Sequence, residues 1–288
     1  MAYRSIFRPG LFAGKAGIVT GAGSGIGRCT AHELAALGAR LVLVGRKAEK
    51  LEQVAREIAD AGGTAHCHSA DIREEERVQA VVRAALADLG RIDFLVNNAG
   101  GQFSSPLEKI SARGFDAVVR TNLTGGFLMA RESYAQWMKQ HGGAIVNMIA
   151  DMWNGMPGMG HSGAARAGML NFTETAALEW APVRVNAVAP GWIASSGLDH
   201  YPPDMREHIR SLPGKVPLGR LGTESEISAA IVFLLSPAAA FISGSCIRID
   251  GAVPNVKPNW NRDVQAASWR TTEPFEGFHL ARRPKVLE

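Results

Sequence analysis

Cysteine is scarce in this sequence: Cys29, Cys67 and Cys246 are the only three in 288 residues. They are too few and too far apart for a disulfide framework or a cysteine-based metal site, and a reduced, cytoplasmic setting is expected. Long apolar runs are also missing. No stretch reaches the length of a membrane span, and residues 1–13 lack the apolar core of a secretion signal. Concentrated charge is absent too. Lys and Arg number 31 against 27 Asp and Glu, a formal charge of +4, and the cations are scattered. That argues against a nucleic-acid-binding stripe and leaves small anionic ligands open. No Pro- or Ser-rich linker divides the chain, and 46% hydrophobic residues supply the core of one large domain.

What is present is an alternation. Apolar runs at 16–19, 40–44, 65–69, 92–96, 144–148, 183–188 and 245–249 read as seven strands. Between them the periodicity turns helical at 28–37, 47–61, 74–89, 162–180 and 224–235. A long helical region from about 115 to 140 carries glycines that predict breaks at Gly114 and around Asn122 to Gly126. Strict strand–helix alternation with buried strands predicts an α/β, Rossmann-type, doubly wound parallel sheet. Residues 1–14 read as an irregular arm and 15–252 as the domain. Residues 194–222 form an irregular loop with a short helix near 204–212. Residues 253–288 form an irregular tail whose Trp260, Trp269, Phe275 and Phe278 predict packing on the body or on a neighbouring subunit.

Thr20-Gly21-Ala22-Gly23-Ser24-Gly25-Ile26-Gly27 sits between the first strand and the first helix. Glycines there let the backbone approach a pyrophosphate, and the helix N-terminus offers free N–H groups. The spacing is G-x-x-x-G-x-G through Gly21, Gly25 and Gly27, because Ile26 stands where the common dinucleotide fingerprint has a glycine. At the end of the second strand the chain reads Val44-Gly45-Arg46-Lys47, with no carboxylate before Glu49. An acidic residue there would favour the ribose hydroxyl of NAD, whereas Arg46 and Lys47 suit the 2′-phosphate of NADPH, with Ser24 adding a hydroxyl.

The glycine loop, Asp71-Ile72, Asn97-Asn98-Ala99-Gly100, Asn122, Val185-Asn186 and Pro190-Gly191 occur in the order and spacing of one family. Over roughly residues 15–251 the chain resembles the short-chain dehydrogenases/reductases. The resemblance implies a nicotinamide cofactor lying across the strand ends. It places Asp71 and Ile72 at adenine, Asn98, Ala99 and Gly100 at the ribose, and Pro190, Gly191 and Ile193 at the nicotinamide. It also implies a homo-oligomer, dimer or tetramer, built on the helices at 115–140 and 162–180.

The chain departs from the family's usual Ser, Tyr-x-x-x-Lys set. Ala150 stands near the serine position, Ser162 at the tyrosine and Arg166 at the lysine, while Asn122 is kept. A serine is a poor acid and a guanidinium does not deprotonate, so the ordinary carbonyl-reducing relay is missing. Segments 100–103, 121–125, 161–168, 177–181 and 233–239 resemble the peroxisomal trans-2-enoyl-CoA and dienoyl-CoA reductases. Reduction of a C=C conjugated to a thioester needs hydrogen-bond donors at the thioester oxygen more than a strong acid beside it. Asn122 and Ser162 are the expected donors, and Arg166 the expected ribose ligand and local positive charge. Asp151, His161, Tyr201 or water are candidate proton sources. Met152, Trp153, Met156 and Met159 are candidates to line an acyl channel.

The expected function is thus NADPH-dependent reduction of an enoyl-CoA. An apolar alcohol, aldehyde or terpenoid is the alternative substrate, and NADP(H) binding without catalysis the alternative class. Hydrolysis is disfavoured. Gly160-His161-Ser162-Gly163-Ala164 lacks the final glycine of a nucleophile elbow, and Asp151 to Met159 separates the serine from its strand. No metal site is expected, and the terminal Lys285-Val286-Leu287-Glu288 is no peroxisomal address.

Overall fold

The computed structural model describes residues 2–256 and 271–288, so Pro258, Trp260 and Trp269 lie outside the described residues. Seven parallel strands form one sheet: β1 (Ala16–Thr20), β2 (Arg40–Gly45), β3 (Thr64–Ser69), β4 (Phe94–Asn97), β5 (Ala144–Met148), β6 (Arg184–Pro190) and β7 (Cys246–Ile249). Their order is β3-β2-β1-β4-β5-β6-β7. The order reverses between β1 and β4, where parallel α/β sheets open a crevice at the strand carboxyl ends. This is the Rossmann-like fold the alternation predicts, in a single domain.

Strand side chains alternate between two core layers. Val19, Leu41 and Leu43 face α1 (Gly25–Ala36), α2 (Ala48–Asp60) and α9 (Glu224–Leu235). Ile18, Val42, Val44 and Leu95 face α3 (Glu75–Leu89) and its neighbours on the opposite side. The central strands are buried along their whole length, as covered parallel strands must be. The edges differ from expectation. β3 alternates exposed and half-buried residues, and β7 is half-exposed, because each has a neighbour on one side only.

The expected breaks in the long helical region do not occur. The chain stays helical through α4 (Ala112–Val119), α5 (Gly125–Ser133) and α6 (Lys139–His141), with π segments at Arg120–Thr124 and Tyr134–Met138. Gly114 is the first-turn N–H that Ser111 caps. Gly125 and Gly126 stay helical because they are contact surfaces. A Cβ on Gly125 would lie 2.6 Å from Ile72, and one on Gly126 would lie 2.5 Å from Met169. The π turn at 120–124 widens the helix and re-aims Asn122, a local deformation typical of functional positions.

The remaining elements are α7 (Gly160–Glu179) and, in the 194–222 loop, α8 (Arg206–Ser211) with short 3-10 turns. The tail packs on its own chain. Phe278 is 4% exposed, stacks on Tyr3 with ring centroids 6.0 Å apart, and lies under Arg28 at 5.3 Å. Its N–H donates to Ser225 Oγ at 3.1 Å, and Arg4 N–H donates to Gly277 O at 2.9 Å, so both termini close over α1 and α9. Truncating Phe278 to Ala should therefore cost about 3 kcal/mol in denaturant unfolding, the usual range for a buried aromatic. A loss below about 1 kcal/mol would mean that the tail adds no core.

Candidate active site

The glycine turn is held from behind by the end of β4. Thr20 Oγ1 accepts from the N–H groups of Asn98 and Ala99, both at 3.0 Å, and donates to Val96 O at 3.2 Å. Asn98 Nδ2 donates to Thr20 O at 3.0 Å and to Gly21 O at 3.3 Å. The Asn98 side chain is therefore a staple on the loop. Gly21 (φ 65°) and Gly25 (φ 56°) occupy the left-handed region. A Cβ on Gly27 would run into Asn98 Nδ2 and Gly21 O. Ser24 is the N-cap of α1 yet makes no side-chain cap bond, and the first turn holds no acid. Its hydroxyl and the helix N-terminus are thus left for an anion, which fits the diphosphate of a dinucleotide.

Arg46 is exposed just beyond β2, its carbonyl held by Ser69 Oγ at 3.1 Å, and Lys47 is the N-cap of α2. Among the described residues neither has a carboxylate within ion-pair distance, whereas twelve other pairs form. Asp71 is already partnered. Arg73 grips its carboxylate through the side chain and the backbone N–H, and this holds the carboxyl below its usual range. Ile72 is 5% exposed and packs against Gly125. Ile193 is also buried, beside a bridge to Gly222, while Gly191 N–H is tied to Ile249 O at 2.9 Å, following Pro190 at the end of β6.

One carboxylate of the cradle is far away in sequence. Glu224 Oε1 lies 3.8 Å from where a Gly25 Cβ would stand, and burial pushes its carboxyl up to about 7 against the pull of Arg28.

At the carboxyl ends of β4 and β5 the predicted catalytic residues converge. Asn122 is 2% exposed; its Oδ1 accepts from Gly101 N–H at 2.8 Å and its Nδ2 donates to Gly101 O at 3.0 Å. The amide thus clamps the 100–102 backbone, where an oxyanion donor was expected. Ser162 is fully buried and its hydroxyl donates to Gln102 Oε1 at 2.7 Å. Gln102 Nε2, turned outward by that bond, donates to Tyr201 Oη at 3.4 Å. Arg166 is 7% exposed, donates through Nη1 to Met148 O at 2.6 Å, and lays Nη2 against Gly100. Burial pulls it down to about 10, so it remains a cation at neutral pH.

Asp151 follows β5, its N–H tied to Pro190 O at 3.0 Å. Its Oδ1 is buried without a hydrogen-bond partner, and burial together with the negative Asp250 raises its pKa against the pull of Arg248. His161 is fully buried, its Nδ1 accepts from Ser162 N–H at 2.8 Å, and Phe103 packs edge-on against the ring at 4.4 Å. Met152 and Trp153 pack on the buried cluster of Ile149 and Met169, Met156 lies against Gly163, and Met159 Sδ accepts from Tyr201 Oη at 3.8 Å. Of the expected channel residues, Met159 is the one with a hydrogen bond to the 194–222 loop among the described residues. Gln102 and Glu224 were not singled out by their local sequence, since each acts through residues 60 or more positions away.

The family described as enoyl-(acyl carrier protein) reductase matches residues 21–253. A Bacillus subtilis protein named "Probable 2,4-dienoyl-CoA reductase" is 38% identical over 82% of this chain and 95% of its own length. The solved structure of a citronellol catabolism dehydrogenase from Pseudomonas aeruginosa PAO1 is 63% identical, with TM-score 0.79, over 88% of this chain and 100% of that one. A Beutenbergia cavernae structure described as "a putative NAD(P) dependent gluconate 5-dehydrogenase", with NADP bound at low occupancy, is 33% identical with TM-score 0.80, over 86% of this chain and 100% of that one. The glycine cradle at the sheet's switch point, the Asn98 staple and these matches lead to one assignment: this chain belongs to the short-chain dehydrogenase/reductase family of oxidoreductases.

Proposed function

We propose that this chain is an NADPH-dependent reductase of the C=C bond in an α,β-unsaturated acyl thioester. The observation that carries the reading is the Ser162–Gln102 pair, which stands where a carbonyl reductase of the family would hold its tyrosine. Ser162 fixes the Gln102 amide with Oε1 inward and Nε2 outward. Gln102 Nε2 is then the donor for a thioester oxygen, and Asn122 positions it through the Gly101 backbone. Arg166 adds positive potential behind Gly100.

The cofactor residues are Gly21, Ser24, Gly25, Ile26 and Gly27 at the diphosphate, Arg46 and Lys47 at the 2′-phosphate, and Arg166 near the ribose. Asp71, Ile72, Asn98, Ala99, Gly100, Pro190, Gly191 and Ile193 border the cofactor. When bound there, the nicotinamide supplies the hydride that the β-carbon receives. The α-carbon needs a proton, and Asp151 is the group for it: its raised pKa keeps the acid form present at higher pH than an ordinary carboxyl. His161 is set aside because its Nδ1 is engaged with the backbone and its ring is enclosed.

A cytoplasmic homo-oligomer, dimer or tetramer, completes the proposal. Three free cysteines and the absence, among the described residues, of any helix long and apolar enough to cross a membrane agree with that location.

A second reading, oxidation or reduction of an apolar terpenoid alcohol or aldehyde, is favoured by the 63% identity to the citronellol catabolism dehydrogenase. One assay separates the readings. NADPH oxidation is followed with trans-2-enoyl-CoA and 2,4-dienoyl-CoA chains, with citronellal alongside and with NADP+ plus citronellol in reverse. Turnover of the thioesters is expected. Turnover of the terpenoids alone supports the second reading, and NADPH binding with no turnover leaves a binding protein.

Two variants test the residue roles. Arg46→Ala should weaken NADPH roughly tenfold or more and leave NADH unchanged, because only one cofactor offers a phosphate to the guanidinium. Equal losses for both would remove Arg46 from cofactor choice. For Asp151, an acid that must be protonated to act, the rate is full below its raised pKa and falls as pH rises through it. Asp151→Asn should lower kcat about a hundredfold and erase that limb of the profile, with NADPH affinity retained. A variant profile matching wild type would assign the proton to water.

A further inference from the structure

Between the 194–222 loop and the C-terminal tail lies a cavity of about 250 Å³ that the chemistry above does not use. Its wall carries Arg206, Arg210 and Lys285, with Tyr201, Asp199 and Val286 between them. Arg206 and Arg210 are four residues apart on α8, so both guanidiniums share one face. The tail brings up the third cation. Arg210 Nε donates to Val286 O at 2.8 Å, and Val286 N–H donates to Asp199 Oδ1 at 3.0 Å. These bonds bring exposed Lys285 to the cavity that the two arginines line.

The arrangement is short of negative charge. Among the described residues none of the three cations has a carboxylate within 4.0 Å, and Asp199 is the one acid in the wall, already accepting from the backbone. Like charges at this spacing oppose folding unless an anion joins them. Arginine forks and a lysine ammonium together suit phosphate oxygens. The volume admits a phosphate or diphosphate and is too small for a whole nucleotide-bearing ligand or a protein surface. Tyr201 connects the cavity to the reacting end: it lines the wall, and its hydroxyl touches Gln102 and Met159.

We infer that this cavity seats the phosphate groups of a coenzyme A thioester, whose pantetheine arm runs past Tyr201 to Gln102 and Ser162. The inference rests on the enoyl-thioester reading and names its carrier. Three charged groups 40 or more residues from Arg166 then set preference for a coenzyme A ester over a phosphate-free one.

The test uses the full chain with NADP(H) present. Enoyl-CoA is compared with the matching enoyl-pantetheine in wild type, Arg206→Ala, Lys285→Ala and the charge-keeping Lys285→Arg. Wild type should show a KM for enoyl-CoA at least about tenfold below that for the pantetheine ester. Each alanine variant should raise the enoyl-CoA KM roughly tenfold with kcat unchanged, while the pantetheine KM stays put and Lys285→Arg stays near wild type. A wild type that treats both esters alike, or variants that shift both KM values together, overturns the inference.

Calorimetry with coenzyme A separates this from failure of the proposed reaction. Binding lost in Arg206→Ala and Lys285→Ala upholds the site even where no thioester is reduced. Equal binding by wild type and both variants removes it, whatever the turnover. Preference for a carrier-protein thioester, undiminished in the variants, would likewise reject coenzyme A as the occupant.

Discussion

The contact between the glycine turn after β1 and Asn98 beyond β4 is the constraint on which the rest of this structure depends. Gly27 packs so closely on the Asn98 amide and Gly21 carbonyl that no side chain fits between them. Thr20 and Asn98 then tie two strand ends together through four hydrogen bonds between 3.0 and 3.3 Å. β1 and β4 are neighbours only because the sheet reverses its order there. Backbone sterics, strand order and the N-terminus of α1 thus converge on one point. Everything that would hold a dinucleotide is arranged around it.

The chemistry is layered on that frame by a second chain of contacts. Asn122, on the π segment, clamps Gly101; Gly101 precedes Gln102; and Gln102 Oε1 accepts the hydrogen bond of the Ser162 hydroxyl. Arg166 closes the set by tying α7 to Met148 at the end of β5. Four elements, the 98–102 turn, the π segment, β5 and α7, meet in one polar cluster in which Asn122, Ser162 and Arg166 are buried and the Gln102 amide is exposed. This is a donor surface, consistent with the proposed stabilisation of a thioester oxygen. The two sets meet in the 98–102 turn: Asn98 and Ala99 hold the glycine cradle, while Gly101 and Gln102 are held by Asn122 and Ser162.

Much of this was legible in the sequence where the cause was local. The strand–helix alternation, the glycine turn after β1 and the cations after β2 follow from short-range periodicity, sterics and charge, and strand ends differ by at most two residues. Where the cause was tertiary, the local reading failed. Gly125 and Gly126 read as breakers, yet the helix runs through them because Ile72 and Met169 need the space. Asn122 read as a donor to substrate, but the π segment turns its amide onto Gly101. Gln102 entered only as part of the resembling segment 100–103, because its partner Ser162 stands sixty positions on. The tail's role depended on Tyr3 and Ser225 standing side by side, which no segment of the chain shows alone.

The most direct test of the proposed reaction is product analysis in D2O. An enoyl-CoA is turned over with unlabelled NADPH and the product read by mass spectrometry and NMR. Saturated thioester carrying one deuterium at the α-carbon and none at the β-carbon is the predicted result. It would show a cofactor hydride at one carbon and an exchangeable acid at the other. An alcohol or aldehyde formed at the carbonyl, or thioester recovered with its double bond intact, would contradict the account.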